Sequence, residues 1–314
     1  MKDRFNREVD YLRISVTDLC NLRCVYCMPV SGVAKKEHKQ IISVERIKEV
    51  VLAASKLGIS KVRLTGGEPL VRNGIIEICK EIKSISAIKE LCLTTNGVLL
   101  NKMAQELYDA GVDRLNISLD TLNPDKYKHI TRGGNIDDVL TGIQKSKEVG
   151  FKNIKINVVL IGGFNDDEIK DFGKFAQDQG LTVRFIELMP IGQSKLMGRK
   201  SYLSNDIILQ RIHNLIPVND ASGVANEYKF KNSNGRIGLI SPLSHIFCKT
   251  CSRIRLTSEG KIKPCLHSSL EVPTEGFVGD ELVEAIRKAI LLKPEKHHLE
   301  AGSDSLNNMN EIGG

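Results

Sequence analysis

An incomplete (β/α)6 barrel of the TIM type, followed by a smaller C-terminal α+β region, is the α/β fold that this 314-residue sequence predicts. Three observations predict it. Short β-branched runs alternate with longer amphipathic segments from residue 11 to about residue 190. The alternation occurs six times, and strand–helix units in series imply a parallel sheet, because parallel neighbours need a crossover. Small, polar and charged residues gather at the end of every run, and barrels of this type carry chemistry at C-terminal strand ends.

The runs are Leu12–Val16, Lys61–Thr65, Glu90–Thr95, Arg114–Leu119, Ile154–Ile161 and Val183–Leu188. Between the first two, Ser43–Leu57 reads as a helix. Ser43 is the cap, and Val44, Ile47, Val50, Val51 and Ala54 recur at helical spacing. Asn101–Ala110 and Ile136–Val149 follow the same pattern and stop at Gly111 and Gly150. A cysteine loop follows the first run, Gly66-Gly67-Glu68-Pro69 the second and Thr94-Thr95-Asn96-Gly97 the third. The fourth carries Asn116, Ser118 and Asp120, the fifth Lys155 and Asn157, and the sixth Arg184 and then Glu187-Leu188-Met189-Pro190.

Past residue 195 the pattern changes. Tyr228–Phe230, Arg236–Ser241, Ser252–Thr257 and Lys261–Cys265 read as short strands, with turns at Ser233–Gly235 and Ser258–Gly260. Asp280–Leu291 reads as one amphipathic helix. This divides the chain into a barrel at 1–195, a C-terminal region at 196–295 expected on the barrel's open side, and a polar tail at 296–314 ending in Gly313-Gly314.

Composition narrows the class. Hydrophobic residues make up 41% and charged residues 26%, as in a globular chain with a core. The N-terminus lacks an apolar signal segment and no run approaches the ~20 residues of a membrane span, so a cytoplasmic protein with no membrane partner is expected. With 5% aromatic residues and no Trp, a stacking platform for single-stranded nucleic acid is not supported. The net charge of +7 suits either a solvated basic surface or an anionic ligand. Six of the eight cysteines fall into two tight groups, which points to metal rather than disulfides.

Cys20, Cys24 and Cys27 form C-x3-C-x2-C, with Tyr26 before the last ligand. Four thiolates normally hold a [4Fe–4S] cluster, so three leave one iron open to a small molecule; a zinc knuckle awaiting a distant ligand is the alternative. Cys248, Cys251 and Cys265 form the second group. With His245 and His267 nearby, zinc and iron–sulfur stand equal on spacing. Arg253 and Arg255 would face one way in a strand, and two guanidinium forks suit a polyphosphate. Cys79 and Cys92 read as core, and His297-His298 as a surface tail.

The first trio followed by Gly-Gly-Glu-Pro after the next strand resembles the radical S-adenosylmethionine (SAM) superfamily. Further motifs narrow the resemblance to its GTP 3′,8-cyclase family of molybdenum-cofactor (molybdopterin) biosynthesis. These are Leu12–Asp18, Val62–Pro69, Thr94–Gly97, Phe185–Pro190, the C-x2-C-x-R-x-R-L-T run from Cys248, the third late cysteine and the terminal Gly-Gly.

The resemblance implies two [4Fe–4S] clusters, one with SAM at Cys20, Cys24 and Cys27 and one with substrate at Cys248, Cys251 and Cys265. It implies SAM contacts at Tyr26, Gly67, Glu68, Ser118 and Met189. It implies GTP contacts at Arg13, Arg63, Thr94, Lys155, Arg253 and Arg255, with Arg184 a further candidate, and catalytic parts for Arg13, Gly313 and Gly314. The implied reaction is removal of the ribose 3′ hydrogen by a 5′-deoxyadenosyl radical and closure of C3′ onto guanine C8. The implied partners are GTP, an electron donor such as flavodoxin or ferredoxin, and the next enzyme, cyclic pyranopterin monophosphate synthase; a homodimer is compatible. A twin-cluster peptide-modifying maturase is the runner-up, and a non-catalytic nucleic-acid-binding metalloprotein has no use for Gly-Gly-Glu-Pro.

Overall fold

A computed structural model of the chain describes residues 1–33, 37, 40–218, 224–297 and 299. Its first half is the expected alternation: β1 (Tyr11–Ser15), α1 (Val44–Ser55), β2 (Lys61–Thr65), α2 (Ile75–Lys83), β3 (Glu90–Thr95), α3 (Leu100–Asp109) and β4 (Arg114–Ser118). There follow α4 (Pro124–Thr131), α5 (Ile136–Val149), β5 (Ile154–Leu160), α6 (Ile169–Gln179) and β6 (Thr182–Glu187). Local chemistry sets the boundaries. Ser43 Oγ accepts from Arg46 N at the start of α1, and Gly150 ends α5 in the left-handed region at φ 113°.

The C-terminal region adds α7 (Asp206–Arg211), β7 (Leu215–Pro217), β8 (Asn226–Phe230), β9 (Arg236–Ile240), β10 (Arg253–Leu256), β11 (Lys261–Lys263), β12 (Val272–Pro273) and α8 (Gly279–Leu291). The sequence placed this region against the barrel's open side. Its strands continue the barrel sheet at both of the edges that border that opening. Among the described residues one twelve-stranded sheet runs β12-β11-β10-β1-β2-β3-β4-β5-β6-β9-β8-β7. β10 pairs parallel with β1, and β9 pairs parallel with β6. The hairpin partners β11 and β8 then run antiparallel. An edge of unpaired N–H and C=O groups on β1 and β6 is thereby covered.

Alternation along the strands explains what the sheet encloses. Leu12, Ile14, Val62, Leu64, Leu91, Leu93, Leu115, Ile117, Ile154, Ile156, Val183 and Phe185 are buried in the main hydrophobic cluster with residues of the surrounding helices. Their neighbours Tyr11, Arg13, Arg63, Thr94, Asn116, Ser118, Lys155, Asn157 and Arg184 face the other way and line a chamber of about 810 Å³. A TIM barrel usually fills its interior with branched apolar side chains. Here the inner face is polar, which suits a charged ligand. α8 lies against α1, and Arg46 of α1 bonds the carbonyl of Phe277 just before α8 at 2.8 Å.

Candidate active site between two cysteine trios

Strand direction places the two trios. β1 runs from Tyr11 to Ser15, and the loop holding Cys20, Cys24 and Cys27 follows its C-terminal end. Tyr11 lies opposite Arg253, so Cys251, two residues earlier, sits at the N-terminal end of the same strand pair. Arg255 lies opposite Lys263 on antiparallel β11, which brings Cys265 to that end too. All six cysteines line the one chamber. They lie at opposite ends of it, roughly 15 Å apart by the rise of a five-residue strand. The expected C-terminal strand ends thus carry the first trio, and the second sits at the N-terminal end of the β10–β1 pair.

Three arginines cross the space between. Arg255, Arg13 and Arg63 are consecutive register partners on β10, β1 and β2. Like charges directly opposite each other on a sheet are destabilising. Burial, with Arg255 second, lowers Arg13 below the usual guanidinium range, and burial followed by Arg253 takes Arg255 down to about 10. Thr94 Oγ1 accepts from Arg63 Nη1 at 3.1 Å, and the Arg63 Nε bonds the Tyr11 hydroxyl. Arg253 stacks over Phe247, 5.5 Å from the ring centre. Such a row suits a polyanion.

At the first trio, the backbone is folded back on itself. Gly67 N donates to Thr17 O and Glu68 N to Leu19 O, both at 2.8 Å. A Cβ on Gly67 would lie 2.3 Å from Leu19 O, and one on Gly66 the same distance from Thr17 O. Only glycine allows so close an approach. The Gly67 N–H is therefore already engaged, and its remaining polar group is the carbonyl. Glu68 does not line the chamber. Its carboxylate accepts from Thr95 Oγ1 at 2.7 Å, Asn96 N at 2.6 Å and Leu70 N at 3.0 Å. Burial raises it to about 7 despite these donors. In this structure it orders the turn rather than facing a ligand.

The donor sets fit iron–sulfur clusters. Burial raises Cys20 to about 11 and also raises Cys24, with Cys27 the next cause. Cys20 Sγ accepts from Leu22 N at 3.4 Å, a bond available to a ligating thiolate. Burial raises Cys248, against a lowering hydrogen bond from the His297 backbone, and Cys265 and Cys251 raise it further, so the late thiols also lie close together. Burial would raise Cys251 too, but Arg253 and Lys293 bring it down to about 6. The zinc alternative drew on His245, which instead pairs with Asp206 at 2.8 Å and is exposed. Among the described residues no group of three or more His, Cys, Asp or Glu side chains is arranged to hold a single metal ion.

Arg13, Tyr26, Arg63, Gly67, Thr94, Ser118, Lys155, Arg184, Met189, Arg253 and Arg255 all line the chamber. Gly313, Gly314 and His298 lie outside the described residues. His297 was read as a surface tail, but it lines the chamber and stacks on His267 at 4.8 Å, edge to face. Cys79 is core as expected; Cys92 is buried but turns its face to the chamber, opposite Arg63.

Sequence reasoning missed several residues. Lys293, 2% exposed, donates to Arg253 O at 2.8 Å and reaches Cys251 Sγ at 3.3 Å. Arg7 donates to Cys248 O and Glu295 O, both at 2.9 Å. Glu187 was noted at the end of the sixth run, but not its partners: it accepts from Leu243 N and Ser244 N, joining the end of β6 to the approach to the second trio. Glu227 pairs with Lys155 and Arg184. A lone charged residue before the first strand, on a short strand or beyond a helix carries no pattern to find it by.

Comparisons with known proteins agree with this layout. The Radical SAM superfamily model matches residues 14–176, and the Molybdenum Cofactor Synthesis C model matches residues 181–299. A GTP 3′,8-cyclase of Alkaliphilus oremlandii (strain OhILAs) is 49% identical over 320 residues, covering all of both chains. One from Clostridium botulinum (strain Hall) is 48% identical over 319 residues with the same coverage. Among solved structures, Streptococcus suis SuiB bound to S-adenosylmethionine superposes with a TM-score of 0.61. It is 16% identical, with 95% of this chain covering 66% of that one, a likeness of fold alone. Matched along both halves and end to end, the chain belongs to the radical SAM superfamily and, within it, to the GTP 3′,8-cyclase family.

Proposed function

We propose that this chain converts GTP to 3′,8-cyclo-7,8-dihydro-GTP, the first step of molybdenum-cofactor biosynthesis, as a radical SAM lyase. One observation carries the reading: two cysteine trios stand at opposite ends of one polar chamber, with the Arg255–Arg13–Arg63 row between them. A peptide-modifying role has no comparable need for three stacked guanidinium groups.

Cys20, Cys24 and Cys27 would hold the cluster that binds SAM, and Cys248, Cys251 and Cys265 the cluster facing substrate. When bound, the first cluster and SAM would supply the 5′-deoxyadenosyl radical chemistry for removal of the ribose 3′ hydrogen and closure of C3′ onto guanine C8. The protein's share is orientation and exclusion of water. Arg13, Arg63, Arg253 and Arg255, with Lys155 and Arg184, would fix the triphosphate, and Thr94 holds Arg63 in place. Fixing the triphosphate aims the ribose at the first trio and the base at the second. Tyr26, Gly67, Ser118 and Met189 would line the SAM end, with Glu68 ordering the turn behind it. Gly313 and Gly314 are proposed to complete the site as the family's tail does.

Residues 1–195 would generate the radical and residues 196–295 choose the substrate, across one continuous sheet. Reductive cleavage of SAM requires one outside electron, and completing the dihydro product after ring closure requires a second electron and a proton; flavodoxin or ferredoxin would supply the electrons. The cyclised product suits cyclic pyranopterin monophosphate synthase as the next enzyme. Homodimerisation is testable by light scattering. Among the described residues no helix is long and apolar enough to cross a membrane.

The test is anaerobic reconstitution with iron and sulfide, followed by SAM, reductant and GTP deuterated at C3′. Deuterium in 5′-deoxyadenosine and formation of the cyclised nucleotide are expected. SAM cleavage that neither depends on GTP nor takes its deuterium would overturn the reading.

A further inference from the structure

Glu227 faces the chamber's cations from an unexpected distance. It lies on β8, yet its Oε1 accepts from both Lys155 Nζ and Arg184 Nη2, each at 2.9 Å. Its Oε2 stands 3.5 Å from Arg236 Nη1. The cations come from β5, β6 and β9, and all four residues line the chamber.

Gly238 makes the reach possible. Register sets Glu227 opposite Gly238 and Gly238 opposite Arg184. Two strand spacings, roughly 10 Å, therefore separate the backbones of Glu227 and Arg184. A Cβ at position 238 would lie 2.9 Å from Arg184 Cγ. With glycine there, the Arg184 stem lies over β9 and its guanidinium meets the carboxylate from the far side.

The pair of bonds is electrostatically tense. Burial would raise Glu227, but hydrogen bonds from Arg184 and Lys155 prevail and hold it at about 2. Burial, and then Arg184, lower Lys155. Two cations therefore converge on a single ionised oxygen. That is also how Lys and Arg would converge on a phosphate oxygen.

We propose that Glu227 is an exchangeable counter-anion, which keeps Lys155 and Arg184 in phosphate-binding geometry and yields them to the polyphosphate of the incoming nucleotide. It is a positioning residue, and the idea rests on the reading that Lys155 and Arg184 bind the triphosphate of GTP. A triphosphate carries enough charge to take both cations from one carboxylate. Orthophosphate does not, so Glu227 also screens the site against small anions that would otherwise fill it.

The experiment measures binding of inorganic triphosphate, orthophosphate and GTP to the anaerobically reconstituted protein by calorimetry. Glu227→Gln, Arg184→Gln and the double variant are compared with the wild type. Glu227→Gln should bind triphosphate roughly tenfold tighter at low salt, as expected when a nearby like charge is removed, and should gain affinity for orthophosphate. Arg184→Gln should bind triphosphate more weakly, and adding Glu227→Gln should recover part of that loss. A structural brace predicts the opposite sign: the single Glu227→Gln variant binds no tighter and the double variant is worse than either single one. Those results would overturn the proposal. The double variant keeps the net charge, so it tests the exchange even if Glu227→Gln alone does not fold. If the expected pattern appears with triphosphate but GTP does not bind, the exchange stands and the cyclase reading fails.

Discussion

The hydroxyl of Tyr26 donates to Asp120 Oδ2 at 2.7 Å, while Val159 N donates to the other oxygen at 2.8 Å. One carboxylate thus fastens the loop of the first cysteine trio to β5 from the end of β4. Burial raises Asp120 to about 6 in spite of both donors.

Replacing Asp120 with Ala leaves the Tyr26 hydroxyl and the Val159 N–H without this acceptor, at a cost on the order of 1–3 kcal/mol for each group left unsatisfied. The loop should then hold its cluster less firmly. Iron and sulfide content after anaerobic gel filtration should drop, with Asp120→Asn affected less. Equal retention in Asp120→Ala and the wild type would show that the bond does not order the loop.

Gly67→Ala should be strongly damaging. Its Cβ would meet Leu19 O at 2.3 Å and Asp18 O at 2.6 Å, both backbone atoms that cannot step aside. The loop would have to separate from the turn and lose the Glu68 N to Leu19 O bond. We expect SAM affinity to fall more than tenfold and stability by a few kcal/mol. Equilibrium dialysis with labelled SAM and thermal unfolding check the two effects separately.

Glu68 predicts an unusual pH trend. Its carboxyl lies at about 7 in the fold, raised from an ordinary 4.5 by burial. Between those values the native state binds more protons than the unfolded one, so this residue's contribution falls as pH rises from about 4.5 to 7. The difference amounts to no more than about 3 kcal/mol. Glu68→Gln lacks this contribution, so its stability deficit relative to the wild type should narrow over that range. Urea unfolding at a series of pH values measures it; a gap that widens with pH would contradict the assignment.

Arg255→Ala should separate binding from stability. Removing the outer member of the arginine row should weaken GTP binding by about 1–3 kcal/mol, the value of charge-assisted bonds. It also relieves repulsion on Arg13, so the unfolding midpoint without nucleotide should not drop by the amount expected for a buried truncation. Calorimetry and thermal unfolding on the same samples decide it.

The first half of the fold was legible because strand and helix periods differ, and β2 and β3 begin and end where the pattern placed them. Of the late strands, β8, β9, β10 and β11 were also found, but not where they join, and the short β7 and β12 were not found. Pairing of β10 with β1 and of β9 with β6 is a long-range choice that local periodicity does not encode. The cysteines, Gly-Gly-Glu-Pro and the Arg253–Arg255 pair were legible because spacing itself is their chemistry. Lys293, Arg7 and Glu227 were not, because each acts by reaching across the fold to a partner far away in sequence. His297 was misplaced because a polar, charged neighbourhood looks like solvent, whereas here it packs against His267.

The union of β10 with β1 also sets an order of assembly. Arg7 bonds Cys248 across 241 positions of chain. At ~5–20 residues per second, synthesis of that stretch takes on the order of tens of seconds. Throughout that interval the outer edge of β1 waits without its neighbour while the first cysteine loop is already exposed beside it. The two cysteine trios are therefore synthesised tens of seconds apart, and the second trio, with the arginine row that gives the chamber its charge, is assembled only once nearly the whole polypeptide has been made.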